Sequence, residues 1–272
     1  MSVSGQEQRL LWWDADKNEP YLAVPGFPDL RITPFHKEDD PHLVELYNDP
    51  LIGSWAWRRP YPYLLADRDF VWNVLYPPQR AAMELLKPLL TLPSEASSGA
   101  QGGAHPLPSP PPTTPVFPLG VVRDIHTGHI AGDLSIFPDT SPAPATVPDS
   151  AGHGDIPATP GPSGNLEAGR GGTPHRWEVA YNVDERYRGR GLAVAMLKAV
   201  ITGWCVWVGM ETLIAHVETR NTGSQSVVRR CGFQLVDLEQ REWPADKGGG
   251  TRELGLWVLD LKRVGSGSGS EA

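Results

Sequence analysis

The chain has 272 residues, enough for one large domain or two small ones, and a formal net charge of −8 at pH 7. This acidic balance argues against a general nucleic-acid binder, which normally carries a basic surface. Only Cys205 and Cys231 occur, too few for a disulfide framework, and no basic-then-apolar signal pattern opens the chain, so a cytoplasmic protein is predicted.

The N-terminal segment is rich in aromatic residues, with Trp12, Trp13, Tyr21 and Phe27. We interpret residues 1–29 as an extension or hairpin that packs these rings on the domain; the alternative is a lid over an acceptor site. A single domain is predicted over residues 30–262. The Gly/Ser-rich residues 263–272 are expected to form a flexible tail.

The domain opens with a predicted strand over residues 30–35, near whose end a proline removes a ladder donor. An acidic cap and a first-turn proline, Asp40 and Pro41, then predict a helix that ends at residues 48–50.

Two more helices are predicted before the composition changes, over residues 67–75 and 80–90. The apolar spacing of the first is expected to turn four side chains inward: Phe70, Val71, Val74 and Leu75.

Four large aromatic residues lie on the connector before these helices: Trp55, Trp57, Tyr61 and Tyr63. Such rings bind amines through apolar or cation–π contacts, so they are candidate substrate-binding residues. The alternative is a packed connector with buried rings.

Two stretches rich in proline and glycine interrupt the domain, over residues 93–115 and 138–174. Neither buries enough apolar surface to offset its ordering entropy, so both are predicted to be disordered or extended insertions. Between them, residues 116–123 and 130–137 predict a hairpin whose turn exposes His126 and His129.

The stretch over residues 177–197 combines a predicted strand, a basic glycine turn and an apolar helix. Gly189 and Gly191 allow close backbone approach, while the first turn of the helix leaves amides free for an anion. A membrane span over residues 191–210 is disfavoured, because Lys198 interrupts the apolar run.

The remaining pattern predicts a helix over residues 192–208 and a strand over residues 212–218. A short helix capped by Asn221 and ended by Gly232 follows, and then two paired strands over residues 233–243 and 252–260. Trp204 and Trp207 are expected in the core.

The pattern Arg186-x-x-Gly189-x-Gly191, followed by a strand, an asparagine, a serine and a helix ending in Gly-Phe, resembles the GNAT superfamily of acetyl-CoA-dependent N-acetyltransferases. It looks most like the RimJ/RimL branch, whose members acetylate protein N-termini and small amines. Residues 30–50 also resemble that branch.

This resemblance implies an α/β (α+β) GNAT fold, with a mixed, mostly antiparallel sheet of about seven strands flanked by helices. It implies direct acetyl transfer from acetyl-CoA to a primary amine, either a small molecule or a peptide N-terminus, without an acyl-enzyme and without a metal. No nucleic-acid or membrane partner is implied, and a monomer or homodimer is expected.

Cofactor-binding residues also follow from the resemblance. It assigns them to one strand, the turn, the start of the helix and the later cap: Tyr181, Val183, Arg186, Arg188, Gly189, Arg190, Gly191, Leu192, Ala193 and Asn221. The backbone N–H of Val183 would polarise the thioester carbonyl.

For catalysis, the resemblance makes Glu178 the candidate base and Glu218 its rival; each is alternatively a paired strand carboxylate. Ser224 matches a serine that protonates the leaving thiolate, or it only satisfies helix-start backbone. Val228 replaces the tyrosine that many members use as the acid. A catalytically weak CoA-binding sensor or scaffold of the same fold is therefore the alternative function.

Overall fold

The computed structural model describes residues 9–91, 107–112, 115–139 and 176–265. Within these ranges the strands are β1 (Leu11–Asp14), β2 (Glu19–Ala23), β3 (Leu30–Thr33), β4 (Val121–Asp124), β5 (Ile130–Pro138), β6 (Arg176–Val183), β7 (Thr212–Glu218), β8 (Gln234–Glu242) and β9 (Thr251–Asp260). The helices are α1 (Asp40–Asn48), α2 (Pro50–Gly53), α3 (Arg68–Phe70), α4 (Tyr76–Thr91), α5 (Leu192–Val200), α6 (Thr222–Arg230) and α7 (Leu261–Gly265). Two π-helical turns, Val71–Leu75 and Ile201–Cys205, join α3 to α4 and extend α5.

In the described part of the chain all nine strands form one sheet, in the order β1-β2-β3-β4-β5-β6-β7-β9-β8. The predicted mixed, mostly antiparallel sheet is confirmed, but it has nine strands rather than about seven. The additional pair is the β1–β2 hairpin, which joins the edge at β3 because Leu11 and Leu22 are fully buried in the main core. The N-terminal aromatic segment is thus part of the sheet and does not line the cleft described below.

The parallel neighbours β6 and β7 stay paired over only three positions, from Arg176–Thr212 to Glu178–Ile214. Beyond them each strand continues with its outer antiparallel neighbour, β6 with β5 as far as Val183 and β7 with β9 as far as Glu218. The sheet therefore splits at Glu178, and the split leaves two unpaired strand edges facing each other.

Helix α5 covers the main core on one face of the sheet, where Trp204 is fully buried against Phe117 at 5.4 Å between ring centroids. This confirms Trp204 as a core residue. A second, smaller core lies under α1 and contains Phe35, Leu43 and Tyr47.

Two buried ion pairs tie α1 to its surroundings. The guanidinium of Arg123 on β4 binds both carboxylate oxygens of Asp39, at 2.6 and 2.7 Å. Next to it Arg68 donates to Asp40 at 2.6 Å. Helix α1 leads through α2 into the connector over the cleft, so these pairs anchor the element from which that connector starts.

The predicted inward face of residues 67–75 is wrong for three of its four residues. Val71 is buried, but Phe70 is 59% exposed, and Val74 and Leu75 also face solvent. In the π-helical turn over these residues, the side chains that contact the second core are instead Val71 and the half-buried Trp72. The next predicted helix is found within α4, where Ala82, Leu86 and Leu90 are buried.

Most of the two predicted insertions, and residues 1–8 and 266–272 at the chain ends, lie outside the described residues. Residues 107–112 of the first insertion lie against the domain, where Leu107 packs on the core and Trp207 donates to the carbonyl of Pro108 at 2.7 Å. Among the described helices none has the length and apolar character needed to cross a bilayer.

Candidate active site

A cleft of about 740 Å³ opens where β6 and β7 part. Its walls are the edge of β6, the turn into α5, the end of β7, the start of α6 and the connector after α2. The three side chains with predicted catalytic roles all line it: Glu178, Glu218 and Ser224.

The glycine turn forms one end of this cleft. Gly189 and Gly191 have φ angles of +72° and +83°, in the left-handed region that favours glycine. The amides of residues 189–191 have no acceptor among the described backbone hydrogen bonds, and those of residues 192–194 belong to the first turn of α5. A phosphate group fits this set of donors, because it supplies the acceptors that the turn lacks.

The three arginines of the turn have different roles. Arg186 pairs with Asp184 at 2.8 Å and, mainly through its side-chain hydrogen bond, holds the pKa of that carboxyl below its usual range. Arg188 lines the cleft and binds both the carbonyl of Val183, at 3.0 Å, and the carboxylate of Asp49. Arg190 is exposed over Tyr187. Of these three arginines, only Arg188 lines the cleft.

The unpaired edge of β6 presents backbone groups to the split. The amide of Asp184 donates to Ala131 on β5, so by strand alternation the amide of Val183 points away from β5 and into the gap. Tyr181 also lines the cleft, and its hydroxyl donates to the carbonyl of Ser224 at 3.3 Å. Burial raises the pKa of Tyr181, so this hydroxyl stays protonated.

Glu178 lies at the point where the strands part and is almost fully buried. Its carboxylate contacts His216 of β7 at 3.0 Å and Arg58 of the connector at 2.9 Å. Burial opposes ionisation, but the His216 hydrogen bond and the positive charge of Arg58 outweigh it and lower the pKa of Glu178. Glu178 is therefore an ionised, paired carboxylate.

Glu218 lies two residues beyond His216 on the same face of β7. It accepts from Arg252 of β9 at 3.0 Å, and Arg252 also donates to the carbonyl of Ser54 at 3.1 Å. Both candidate bases thus carry a strong cationic partner.

The start of α6 matches the sequence prediction. Asn221 caps the helix by accepting from the amide of Ser224 at 3.0 Å, and both residues line the cleft. Val228 is fully buried in the core, so the position that the resemblance assigns to a tyrosine offers no proton donor.

Only one of the four predicted substrate-binding aromatics, Trp55, lines the cleft. Trp57 donates instead to the carbonyl of Glu242, and Tyr63 is buried edge-to-face on Tyr47 at 5.0 Å. The ring of Tyr61 packs over Gly53. The alternative of a packed connector describes these three residues.

Lys247, which the sequence suggested only as part of a turn, holds this connector in place. Its buried ammonium donates to the carbonyls of Ala56, Trp57 and Arg59. Burial lowers the pKa of Lys247. The connector over the cleft is therefore fixed to the β8–β9 hairpin, and Trp243 adds a bond to Ser54 at 3.2 Å.

His216 also lines the cleft, although the sequence analysis did not predict it. Alternation along β7 from Glu218 would have placed it on the same face, but its contact with Glu178 depends on the parallel pairing of β6 with β7. His129, predicted to be exposed, is half-buried between His42 and Tyr187, at 5.5 and 6.3 Å between ring centroids.

The lowered pKa of Glu178 predicts a pH effect on stability. A carboxyl whose pKa is lowered by folding stabilises the protein at pH values above its ordinary pKa of 4.5. This stabilisation is lost as the pH falls through the lower pKa of the folded state. We expect the free energy of unfolding of wild type to fall more steeply with acid than that of Glu178→Gln. Urea denaturation between about pH 3 and about pH 7 measures this, with exposed Glu84→Gln as the control. Parallel curves for wild type and Glu178→Gln would contradict it.

Most of the elements that form the cleft lie within a segment that matches a known protein family. Residues 163–234 match the family model of the acetyltransferase (GNAT) domain, a segment that contains β6, the glycine turn, α5, β7 and α6. No curated protein matches the sequence.

Several solved structures share the fold. A GNAT-family acetyltransferase from Bacillus anthracis has a TM-score of 0.52 at 11% identity, covering 89% of this chain and 99% of that one. RimL, a ribosomal L7/L12 alpha-N-protein acetyltransferase in complex with coenzyme A, has a TM-score of 0.52 at 13% identity and covers 88% and 97%. Spermidine N-acetyltransferase from Vibrio cholerae, in complex with CoA and spermine, has a TM-score of 0.50 at 11% identity and covers 86% and 96%. The predicted GNAT fold is confirmed.

Proposed function

We propose that this chain, which has the GNAT fold and carries a GNAT acetyltransferase domain, transfers an acetyl group directly from acetyl-CoA to a primary amine. The observation that carries the proposal is the split between β6 and β7, with the glycine turn at one end and paired carboxylates on one face.

The turn would hold the pyrophosphate of the co-substrate. Backbone amides of residues 189–193 supply the donors, and the dipole of α5 favours negative charge there. The pantetheine arm would then pair with the free edge of β6 beside Tyr181. At Val183 the gap-facing amide would donate to the thioester oxygen as charge develops on it.

The amine would enter from the connector side of the sheet, where Trp55, Glu178 and Glu218 line the cleft. Carboxylates attract a cationic amine, and an indole face stabilises it further. We propose an acceptor that is either a protein N-terminus or a small-molecule amine. Two proteins that share the fold are named for these two classes of acceptor, RimL for a protein N-terminus and spermidine N-acetyltransferase for a small amine.

We further propose that the chain belongs to the RimJ/RimL-like branch; the positions of Asn221 and Ser224 at the cleft end of α6 support this proposal. The hydroxyl of Ser224 would hydrogen-bond the departing thiolate. Both cysteines are free and buried, which suits a reducing compartment such as the cytoplasm.

The alternative function, a CoA-binding sensor or scaffold with weak catalysis, is favoured by one observation. Val228 fills the position of the usual tyrosine acid and is fully buried. A thermal-shift titration with acetyl-CoA and CoA, combined with a thiol-release assay over polyamines and peptides with free N-termini, separates the two functions. Acetyl transfer to any acceptor supports the enzyme, whereas stabilisation by CoA without transfer to any of them supports the sensor.

Direct transfer makes a prediction about the cysteines. Burial raises the pKa of Cys231 to about 11 and raises that of Cys205 further, so neither forms a thiolate readily. We expect the double variant Cys205→Ala/Cys231→Ala to keep its kcat within about threefold, and initial-rate plots to intersect rather than run parallel. Parallel, ping-pong plots together with loss of transfer in the variant would establish an acyl-enzyme instead.

A further inference from the structure

The face of the sheet at the split brings together an unassigned histidine and a carboxylate. His216 lines the cleft, and its side chain is only 7% exposed. Its Nδ1 is 3.0 Å from Oε1 of Glu178, while Oε2 of the same carboxylate pairs with Arg58 at 2.9 Å. Glu178 is therefore held on both sides and fixes the plane of the imidazole.

The other ring nitrogen, Nε2, lies within ion-pair distance of one carboxylate but makes no hydrogen bond in the described part of the chain. The nearest described charged group is Oε1 of Glu239 at 3.7 Å, too long for a hydrogen bond. Glu239 is itself paired with Arg241. Nε2 therefore has no hydrogen-bond partner among the described residues.

We propose that His216, held by Glu178, is the group that takes the proton from the acceptor amine. This inference rests on the proposed acetyl transfer. It assigns Glu178 a positioning role in place of the direct base role, in the way that a buried carboxylate orients an imidazole beside a nucleophile.

Two observations favour the imidazole over the carboxylates as the proton acceptor. Both oxygens of Glu178 are engaged by cationic or donor groups, and Glu218 is engaged by Arg252. The lowered pKa of Glu178 makes it a poor proton acceptor, and Arg252 occupies Glu218, whereas the neutral imidazole of His216 carries an acceptor lone pair on Nε2 when Nδ1 donates to Glu178.

The step balances without any additional reactant. The acceptor enters as an ammonium ion and gives one proton to Nε2, which leaves the neutral amine. The nitrogen lone pair attacks the thioester carbonyl, the C–N bond forms and the C–S bond breaks. The thiolate receives the second proton from the nitrogen, and the imidazolium returns its proton to solvent.

The pH response depends on every charged group that faces His216. These groups are Glu178 on β6, Glu218 with Arg252 on β7 and β9, Glu239 with Arg241 on β8, and Arg58 on the connector. Each anion in this set has a cationic neighbour, so none of these carboxylates is free to accept the proton in place of the imidazole.

The test compares His216→Asn with His126→Asn, a histidine that is exposed on the hairpin turn away from the cleft. The probes are spermine and a short peptide with a free N-terminus, assayed from about pH 6 to about pH 10. We expect His216→Asn to lower kcat about a hundredfold at neutral pH and to lose the rising limb of the profile. Acetyl-CoA binding, measured by calorimetry, should change less than threefold, and His126→Asn should match wild type.

A second variant keeps the test informative if His216→Asn does not fold. Glu178→Gln leaves His216 in place but removes its charged partner, so kcat should fall about tenfold while the rising limb persists at a shifted pH. Wild-type transfer together with an unchanged pH profile in His216→Asn would overturn this inference alone. Absence of transfer by wild type to any acceptor would overturn the proposed function as well.

Discussion

Replacement of Gly191 by valine is expected to abolish acetyl-CoA binding. Gly191 has a φ of +83° immediately before α5, and a β-branched residue there costs about 1–2 kcal/mol of backbone strain. Relief of that strain would turn the amides away from the anion. Loss of two charge-assisted hydrogen bonds, at about 1.5–3 kcal/mol each, weakens binding roughly a thousandfold.

The matched control is Gly209→Val. Gly209 has a similar φ of +73° and equally open surroundings, but it lies outside the cleft. Both variants should lose stability to a similar extent, and only Gly191→Val should fail to bind in calorimetry with CoA and acetyl-CoA. Equal affinity in the two variants would remove the glycine turn from the site.

Replacement of Asp39 by asparagine is expected to cost about 3–5 kcal/mol of unfolding free energy. Asp39 and Arg123 form a two-point ion pair whose side chains are only 3% and 7% exposed. Loss of one charge leaves the other buried without compensation. Urea denaturation measures the change, and the midpoint should move while the slope stays constant.

Two controls separate burial from charge in this prediction. Arg31→Met breaks the pair with Asp14, where the arginine side chain is 31% exposed, and should cost at most about 1 kcal/mol. The double variant Asp39→Leu/Arg123→Met should recover part of the loss, because no unpaired charge remains. A cost below about 1 kcal/mol for Asp39→Asn would contradict the assignment of Asp39 as a buried anchor of the connector.

Local patterns predicted the second half of the domain closely. The strand predicted over residues 212–218 is β7, and Asn221 caps α6 as expected. The glycine turn is also a local feature, because positive φ at Gly189 and Gly191 depends on the residue type. Side-chain direction was less predictable. In the π-helical turn at Val71–Leu75, Val71 faces the core whereas Val74 and Leu75 are exposed, and the sequence alone does not show that a π-helical turn forms there.

The candidate site residues show the same contrast between local structure and side-chain direction. The candidate catalytic residues Glu178, Glu218 and Ser224 all line the cleft. Trp57, Tyr61 and Tyr63 pack elsewhere, because aromatic composition does not determine which way a loop faces.

The sequence by itself determined the strand–turn–helix that presents free amides, because neighbouring residues set φ, capping and the helix start. Only the tertiary structure decided which charges meet. His216 contacts Glu178 across the parallel pair, Arg252 neutralises Glu218, and Lys247 holds the connector over them. These partners are separated by between 34 and 190 residues along the chain, and strand order, not local spacing, brings them together.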